Sequence, residues 1–173
     1  MARDIRPTGR EVYFDPADII VSKTDTKGRI TYANDVFLSI AGYSEREVLG
    51  EPHSIIRHPD MPRAVFKLLW DMLFQGQEVF AYVKNMAKNG DHYWVFAHVT
   101  PSYDAGGQMV AFHSNRRVPK RSVIDTITPI YADLLRLEAD HRNGKEALAA
   151  SSRALADFVA SKNMGYDELV LAL

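Results

Sequence analysis

The sequence predicts an α+β fold: a five-stranded antiparallel sheet with short helices on one face and further helices at the C-terminus. Three observations predict it. Two β-rich runs surround a turn in residues 19–32, three more alternate with turns in residues 79–117, and the hydrophobic period becomes helical after Pro119. Runs of strands that flank a helical block are typical of a sheet whose helices are segregated to one face.

Length and composition limit the possible classes of protein. The 173-residue chain has the size of one domain with an appendage. Its net charge of −1 gives no electrostatic reason to bind nucleic acid or an acidic membrane surface. No apolar run reaches the roughly 20 residues that a membrane-spanning helix needs, and the absence of cysteine excludes disulfides and thiolate metal sites. We expect a cytoplasmic protein without membrane insertion.

A β-hairpin opens the predicted sheet. Residues 19–23 form a β-rich run, residues 25–28 (DTKG) supply a turn with glycine where φ is positive, and residues 29–32 return as the second strand. Residues 1–17 before the hairpin are polar and contain two prolines. We expect them to form a tail or an N-terminal cap of low order.

Helices are predicted between the hairpin and the later strands. Ser44, followed by Glu45 and Glu47, has the pattern of a helix N-cap with acids in the first turn. A longer helix is expected at about residues 62–74, with Asp60 as its N-cap. The apolar residues of that helix recur at helical spacing: Val65, Phe66, Leu69, Trp70, Met72 and Leu73.

Three strands and then three helices complete the chain. The strands are expected at residues 79–86, 92–101 and 108–117, and the Asn-Gly pair in the first turn is a strong hairpin signal. The helical period that follows predicts a helix that starts or kinks at Pro129. Two further helices are expected at about 145–161 and 166–172.

The central part of the chain resembles the PAS superfamily of sensory domains. The similarity runs from about Asp18 to Arg117 and includes residues 25–34 (DTKGRITYAN), 42–44 (GYS) and 88–94 (KNGDHYW). It implies a PAS sheet over a ligand pocket. We accordingly divide the chain into an N-terminal cap or tail (1–17), a PAS sensor domain (18–118) and a helical output or dimerisation segment (119–173).

Within that superfamily, the chain is similar to the sensor domain of Aer-type aerotaxis receptors, which bind FAD and report the redox or energy state of the cell. The block GEPHSIIRHPDMP at residues 50–62 and the run VKN at residues 83–85 carry this resemblance. It implies that Arg57, His58 and Asp60 hold FAD. A guanidinium beside a helix start would suit a pyrophosphate.

Other candidates for cofactor binding lie in the same matching segments. His53 is part of the first block, and Asn34 ends the motif at residues 25–34. The amide of Asn85 offers a donor and an acceptor together, which suits the edge of an isoalloxazine ring. Trp70 is predicted either to lie against the flavin or to belong to the core.

Strand alternation assigns the remaining candidates. Tyr93 shares one face of its strand with Val95 and Ala97, whereas Trp94 and Phe96 share the other. The resemblance implies that Tyr93, His113 and Asn115 face the pocket. The opposite face, with Trp94 and Phe96, is too apolar for water, so we expect the N-terminal cap, the terminal helices or a second subunit to cover it.

Two alternatives to an FAD protein stay open. A haem-binding PAS sensor needs an axial ligand, and His53, His58 and His113 are available, although the helix at 62–74 contains no histidine. A cofactor-free PAS module would serve only dimerisation or partner binding. A photoreceptor that forms a cysteinyl–flavin adduct is excluded because the chain has no cysteine, and phosphate loops and hydrolase motifs are missing.

We therefore expect a non-enzymatic flavoprotein that senses redox state or oxygen. It would signal through its helices to a protein partner, as a homodimer, in a role of the aerotaxis or chemotaxis kind. Aerotaxis receptors continue into a membrane anchor and a long signalling bundle. Because this chain opens with Met1 and closes with a patterned tail, we expect it to act as a standalone protein.

Overall fold

A five-stranded antiparallel sheet forms the centre of the molecule in a computed structural model, which describes residues 5–173. The first four residues of the predicted tail lie outside the described residues. The strands are β1 (Ile20–Asp25), β2 (Ile30–Ala33), β3 (Val79–Met86), β4 (His92–Tyr103) and β5 (Met109–Arg117). Their order is β2-β1-β5-β4-β3, so the first hairpin pairs with the last strand of the meander. The predicted fold class is confirmed.

Six α-helices and one short 3-10 helix surround the sheet within the described residues. They are α1 (Asp35–Ala41), α2 (Glu45–Val48), the 3-10 helix His53–Ile56, α3 (Arg63–Phe74), α4 (Arg121–Ala139), α5 (Gly144–Ser161) and α6 (Tyr166–Ala172). Ser44 precedes α2 as predicted, and the carboxylate of Glu47 accepts a hydrogen bond from its backbone N–H at 3.0 Å. In the described part of the chain, none of the helices is long and apolar enough to cross a membrane.

The N-terminus of α3 is not capped by Asp60, so that prediction is wrong. Pro62 occupies the N-cap position and supplies no side-chain acceptor. Instead, the carboxylate of Glu138 on α4 accepts from the backbone N–H of Ala64 at 3.2 Å and from the hydroxyl of Ser151 on α5 at 2.9 Å. The side-chain carboxylate of Glu138 therefore satisfies a free N–H of α3 and links α3, α4 and α5.

Helix α4 begins at Arg121 and continues through Pro129, so the prediction of a helix start at Pro129 is wrong. A proline inside a helix removes one backbone hydrogen bond and costs about 3 kcal/mol. The buried side of α4 extends on both sides of the proline, with Ile124, Ile127, Tyr131 and Leu134. Burying these side chains outweighs the local cost, because each stabilises the fold by about 1.5–3 kcal/mol.

The described part of the N-terminal segment is irregular but hydrogen-bonded to the sheet, as a cap would be. Thr8 donates its backbone N–H to the carbonyl of Gly90 at 2.9 Å, and His92 exchanges backbone hydrogen bonds with Arg10 and Val12 at 2.9 and 2.8 Å. The carboxylate of Asp91 accepts from the hydroxyl of Thr8 at 2.6 Å. These bonds hold the segment against the turn between β3 and β4.

The apolar outer face of the sheet is covered by the same chain, as predicted. The indole of Trp94 stacks on the ring of Tyr131 with 6.3 Å between centroids. The hydroxyl of Tyr131 donates to the carbonyl of Tyr82 at 2.7 Å, which satisfies an acceptor on the edge strand β3. Val12 and Phe14 of the N-terminal segment belong to the same hydrophobic cluster.

Candidate functional site

A cavity of about 330 Å³ lies between the inner face of the sheet, α3 and the 3-10 helix. This volume is at the lower end of the range of about 300–1,000 Å³ that small-molecule sites occupy. Most of its wall is apolar, and the apolar and aromatic lining residues are Ile56, Phe66, Leu69, Trp70, Leu73, Val83, Ala97, Val99 and Phe112.

Trp70 sits where α3 meets the first hairpin. Its indole packs edge to face against Phe112, with ring centroids 5.3 Å apart. Gly28 adopts a φ of +76°, and a Cβ at this position would lie 3.3 Å from the six-membered ring of Trp70. Glycine therefore serves both the turn and the close approach of the indole.

The buried end of the cavity holds an arginine that has no carboxylate partner among the described residues. One terminal nitrogen of Arg116, Nη2, donates to the hydroxyl of Ser22 at 2.8 Å and to Nε2 of His53 at 2.7 Å. Burial lowers the pKa of Arg116 to about 10, so the guanidinium is charged at neutral pH. Burial and the charge of Arg116 lower the pKa of His53 to about 3. His53 is therefore neutral, and its Nε2 must be the unprotonated acceptor, since arginine can only donate.

Four buried polar atoms in the cavity wall have no hydrogen-bond partner among the described residues. They are Oγ1 of Thr24, Nδ2 of Asn85, Oγ of Ser114 and Nη1 of Arg116. A buried polar group without a partner costs about 1–3 kcal/mol, and most buried polar groups in folded proteins are paired. Two donors and two hydroxyls in one apolar cavity therefore indicate a ligand that offers several hydrogen-bonding atoms.

The mouth of the cavity is marked by its exposed lining residues, Lys27, Pro52 and Ser54. Arg57 stands beside them, half-buried, with its guanidinium 4.3 Å from the ring centre of Phe66. Among residues 5–173, three cationic side chains thus line the cavity, and no aspartate or glutamate does. This balance of charge favours an anionic ligand.

Four of the ten predicted cofactor-binding residues line the cavity: His53, Arg57, Trp70 and Asn85. They come from three separate segments of the chain. Arg57 and Asn85 are also joined by an isolated antiparallel β-bridge, which connects the segment before α3 to the edge strand. The fold therefore brings these four side chains to one place.

Asn34, His58 and Asp60 lie elsewhere. The amide of Asn34 caps α1 by accepting from the N–H of Phe37 at 3.0 Å and donates to the carbonyl of Ile19 at 2.8 Å, so its hydrogen-bonding capacity is used in the fold. The His58 ring is buried against His92, with ring centroids 5.6 Å apart. The exposed carboxylate of Asp60 pairs with Lys84.

The ion pair between Asp60 and Lys84 measures 2.7 Å from Oδ2 to Nζ. The Nδ1 atom of His58 accepts from the backbone N–H of Asp60 at 3.0 Å. Burial lowers the pKa of His58 to about 4 and keeps the ring neutral. These contacts shape the loop before α3, and neither side chain reaches the cavity wall.

His113 and Asn115 face away from the cavity, because the β4–β5 ladder shifts by one residue between Ser102 and Tyr103. Continued without this shift, the pairing of Tyr103 with Met109 would place His113 opposite Val99 and Asn115 opposite Ala97. With the shift, Ser114 pairs with Val99 and Arg116 pairs with Ala97. A one-residue change of register moves every following side chain to the other face.

Tyr93 lies on the predicted face of β4 but is not among the residues that line the cavity. Its side chain is fully buried, and burial raises the pKa of its hydroxyl. The ring is therefore part of the hydrophobic core beyond the end of the cavity.

Sequence reasoning missed the polar lining of the two central strands. Ser22 and Thr24 lie two residues apart on the inner face of β1, and Ser114 and Arg116 lie two residues apart on the inner face of β5. Polar residues at every second position of a strand that is buried on that side are a recognisable signal of a polar pocket. The signal was present in the sequence, but the phase of β5 depended on the shift in the ladder.

Comparison with known proteins identifies the fold family. Residues 30–115 match the PAS fold family, and this segment is a PAS domain. The chain is 40% identical over 115 residues to the aerotaxis receptor of Escherichia coli K12, a match that covers 66% of this chain and 22% of the receptor. A nitrogen fixation regulatory protein of Klebsiella pneumoniae is 28% identical over 60% of this chain and 21% of its own length.

Solved structures agree on the fold. The light-state structure of the LOV domain of the blue-light photoreceptor Aureochrome1 aligns with a TM-score of 0.55 at 21% identity, over 68% of this chain and 91% of that one. The photo-excited blue-light photoreceptor Vivid aligns with a TM-score of 0.52 at 24% identity, over 61% of this chain and 82% of that one. The chain spans about a fifth of the length of the first curated relatives it matches.

Proposed function

We propose that this protein is a cytoplasmic, non-enzymatic sensor that binds FAD in its PAS cavity and responds to redox state or oxygen. The observation that carries the proposal is the set of four partnerless polar atoms, on Thr24, Asn85, Ser114 and Arg116, within an apolar cavity. A flavin ring is planar and largely apolar on its faces, and its pyrimidine edge alternates donors and acceptors. The resemblance to FAD-binding aerotaxis receptors supports the same cofactor.

The residues of the cavity fit such a group. Asn85 and Arg116 supply donors for ring carbonyls, while the hydroxyls of Thr24 and Ser114 can donate or accept. Bound flavin would supply reversible uptake of electrons. A buried cation without a carboxylate partner favours any state of the ring that gains negative charge, so Arg116 would set how readily that uptake occurs.

Signalling is proposed to leave the cavity through the sheet and α3. Trp94 packs on α4 from β4, and Ala97 and Val99 of the same strand line the cavity on its other face. Helix α3 carries Trp70 and Phe66 in the cavity wall and is tied to α4 through Glu138. A change at the ring therefore has two contiguous routes to the helical segment 119–173, which we propose as the output region.

A homodimer and a signalling partner belong to the same proposal, in a role of the aerotaxis or chemotaxis kind. The sequence argument for a dimer had been the apolar Trp94 face, and α4 now covers that face within one chain. Light scattering of the purified protein measures the oligomeric mass and decides the point.

The absorption spectrum of the purified protein tests the cofactor. Oxidised-flavin bands are expected. Heat should release the flavin, and treatment of the released flavin with phosphodiesterase should raise its fluorescence if it is FAD but not if it is FMN. A Soret band would point to haem. Colourless protein that also fails to take up added FAD would leave a cofactor-free module and contradict the proposal.

Two substitutions separate the cavity from the loop before α3. Arg57→Ala should weaken FAD binding at least about tenfold, because a charge-assisted contact is worth on the order of 1.5–3 kcal/mol. Asp60→Ala should change it less than twofold, because Asp60 is exposed and paired with Lys84. Fluorescence titration of the flavin-free protein measures both constants. An equal loss of FAD affinity in the two variants would show that Asp60 belongs to the binding site.

A further inference from the structure

Two places near α3 could receive the phosphate of a cofactor, and the structure distinguishes them. The sequence pointed to the N-terminus of α3, but the carboxylate of Glu138 already accepts from the backbone N–H of Ala64 there, at 3.2 Å. The same carboxylate accepts from Ser151 at 2.9 Å, and Ser151 is fully buried. A phosphate at this helix end would have to displace a buried contact of its own charge.

The mouth of the cavity offers the opposite environment. Lys27 is exposed there, and no carboxylate of the described residues lies within ion-pair distance of its ammonium group. Arg57 lines the same opening, and its guanidinium makes one hydrogen bond within the described residues, to the carbonyl of Met61 at 3.2 Å. The two cations therefore have donors to spare at the place where a ligand leaves the cavity.

The turn that carries Lys27 is held in place. The carboxylate of Asp25 accepts from the backbone N–H groups of Lys27 and Arg29 at 2.8 and 2.9 Å. Gly28, the next residue, adopts a positive φ and packs against Trp70 in the cavity wall. The backbone of Lys27 is thus positioned by the cavity itself, and only its side chain must order when an anion binds.

We propose that Lys27, together with Arg57, forms a phosphate-binding rim at the mouth of the cavity, and that this rim makes the protein select a phosphorylated flavin over riboflavin. This inference rests on the proposed flavin function and deepens it. Lys27 is the specificity-determining residue, since its exposed side chain contributes a charge at the mouth of the cavity. The N-terminus of α3 takes no part, because Glu138 occupies it.

The test is a titration of flavin-free protein with riboflavin, FMN and FAD, in which the quenching of flavin fluorescence measures binding. Lys27→Ala should weaken FMN and FAD binding about three- to tenfold, as expected for one solvent-accessible charge contact, and leave riboflavin binding unchanged. Lys27→Arg should retain the preference. Added salt should reduce the affinity for FMN and not that for riboflavin, because exposed charges are screened.

Lys23→Ala is the matched control. Lys23 is an exposed lysine on the neighbouring strand β1, lies 5.8 Å from the ring centre of Tyr32 and does not line the cavity. Its removal changes the net charge equally, so it should leave the ratio of FMN to riboflavin affinity unaltered. An equal effect of the two lysine substitutions would show a general charge effect and overturn the assignment of Lys27.

A Glu138→Gln variant locates the phosphate. If the phosphate used the end of α3, the FMN affinity of this variant would not depend on Lys27, whereas a preserved Lys27 effect in the double variant supports the mouth. The outcomes also separate the two proposals. Wild-type protein that binds none of the three flavins removes the flavin function itself, whereas equal binding of all three overturns only the phosphate rim.

Discussion

The two faces of the sheet differ in how the polar groups of their side chains are satisfied. On the outer face, Trp94 is buried against Tyr131, whose hydroxyl donates to the backbone of Tyr82. On the inner face, the amide nitrogen of Asn85 on β3 has no partner among the described residues, and neither does one guanidinium nitrogen of Arg116 on β5. The outer face is therefore built to hold the terminal helices, and the inner face keeps polar groups that do not help the chain to fold.

This difference has a thermodynamic meaning. Substitutions on the outer face should lower the free energy of unfolding, while polar substitutions on the inner face should mainly change ligand binding. A buried polar side chain that lacks a partner in a cavity lowers the stability of the fold, so its presence there is a sign of function. The comparison can be tested one face at a time.

The largest effect is expected for Trp94→Glu. It removes the stacked indole and places a carboxylate against α4, and loss of a buried tryptophan alone costs about 3–5 kcal/mol. Urea unfolding followed by circular dichroism should show this loss, and α4 should become sensitive to protease. Trp70→Phe, on the cavity side, should show neither change. Unaltered stability, oligomeric mass and protease resistance in Trp94→Glu would mean that α4 does not depend on this face.

Arg116→Met should separate stability from binding. Because a buried charge without a carboxylate partner is unfavourable, the flavin-free variant should lose less than about 1 kcal/mol of stability or become more stable. Bound flavin should become harder to reduce, with a midpoint potential more negative by about 30 mV or more, the equivalent of 1.4 kcal/mol for two electrons. Redox titration measures the shift. A loss of stability as large as that of Trp94→Glu would break the distinction between the two faces.

Asn85→Ala should alter the redox behaviour of the flavin more than its occupancy. Nδ2 of the amide has no partner in the described part of the chain, so its removal should leave the flavin-free fold unchanged, whereas a lost hydrogen bond to the ring changes its energy by about 1–3 kcal/mol. The visible spectrum and midpoint potential report the change. Asn115→Ala, on the outer face, is the matched control, and identical behaviour of the two variants would place Asn85 outside the ring contact.

The smallest effect is expected for Tyr131→Phe. The ring stays against Trp94, and only the hydrogen bond to the Tyr82 carbonyl is lost, which costs about 0.5–1.5 kcal/mol. Hydrogen exchange should become faster in β3 and α4 without a change in flavin binding. Altered flavin affinity in this variant would show that the outer contact and the cavity are more tightly coupled than their separation across the sheet suggests.

The sequence predicted local structure well because local structure depends on nearby residues. The turns at Gly28 and Gly90, the alternation along β4 and the helical period of α3 are all written in short segments. The same short segments led to His53, Arg57, Trp70 and Asn85. The resemblance implied a binding role for Arg57 and a pocket position for Asn85, whereas Trp70 had been predicted either to lie against the flavin or to belong to the core. The roles proposed for these four residues in binding a cofactor remain predictions.

Errors arose where distant segments decide the outcome. Asn34 was a candidate ligand because it ends a matching motif, yet its amide is engaged by α1 and Ile19. Asp60 resembled a helix cap, but Lys84 binds it and Glu138 performs the capping from a helix far along the chain. No local pattern encodes which of two carboxylates reaches a helix end first.

The sequence by itself determined the class of fold, the order of its elements and the chemical character of the segment before α3, because hydrophobic period, turn residues and motif content are properties of neighbouring residues. Only the tertiary structure decided which side chains share the cavity. A single shifted residue near Tyr103 directs Arg116 inward and His113 outward. Register is a relation between two strands, so the buried cation that distinguishes this cavity could be recognised only once the strands were paired.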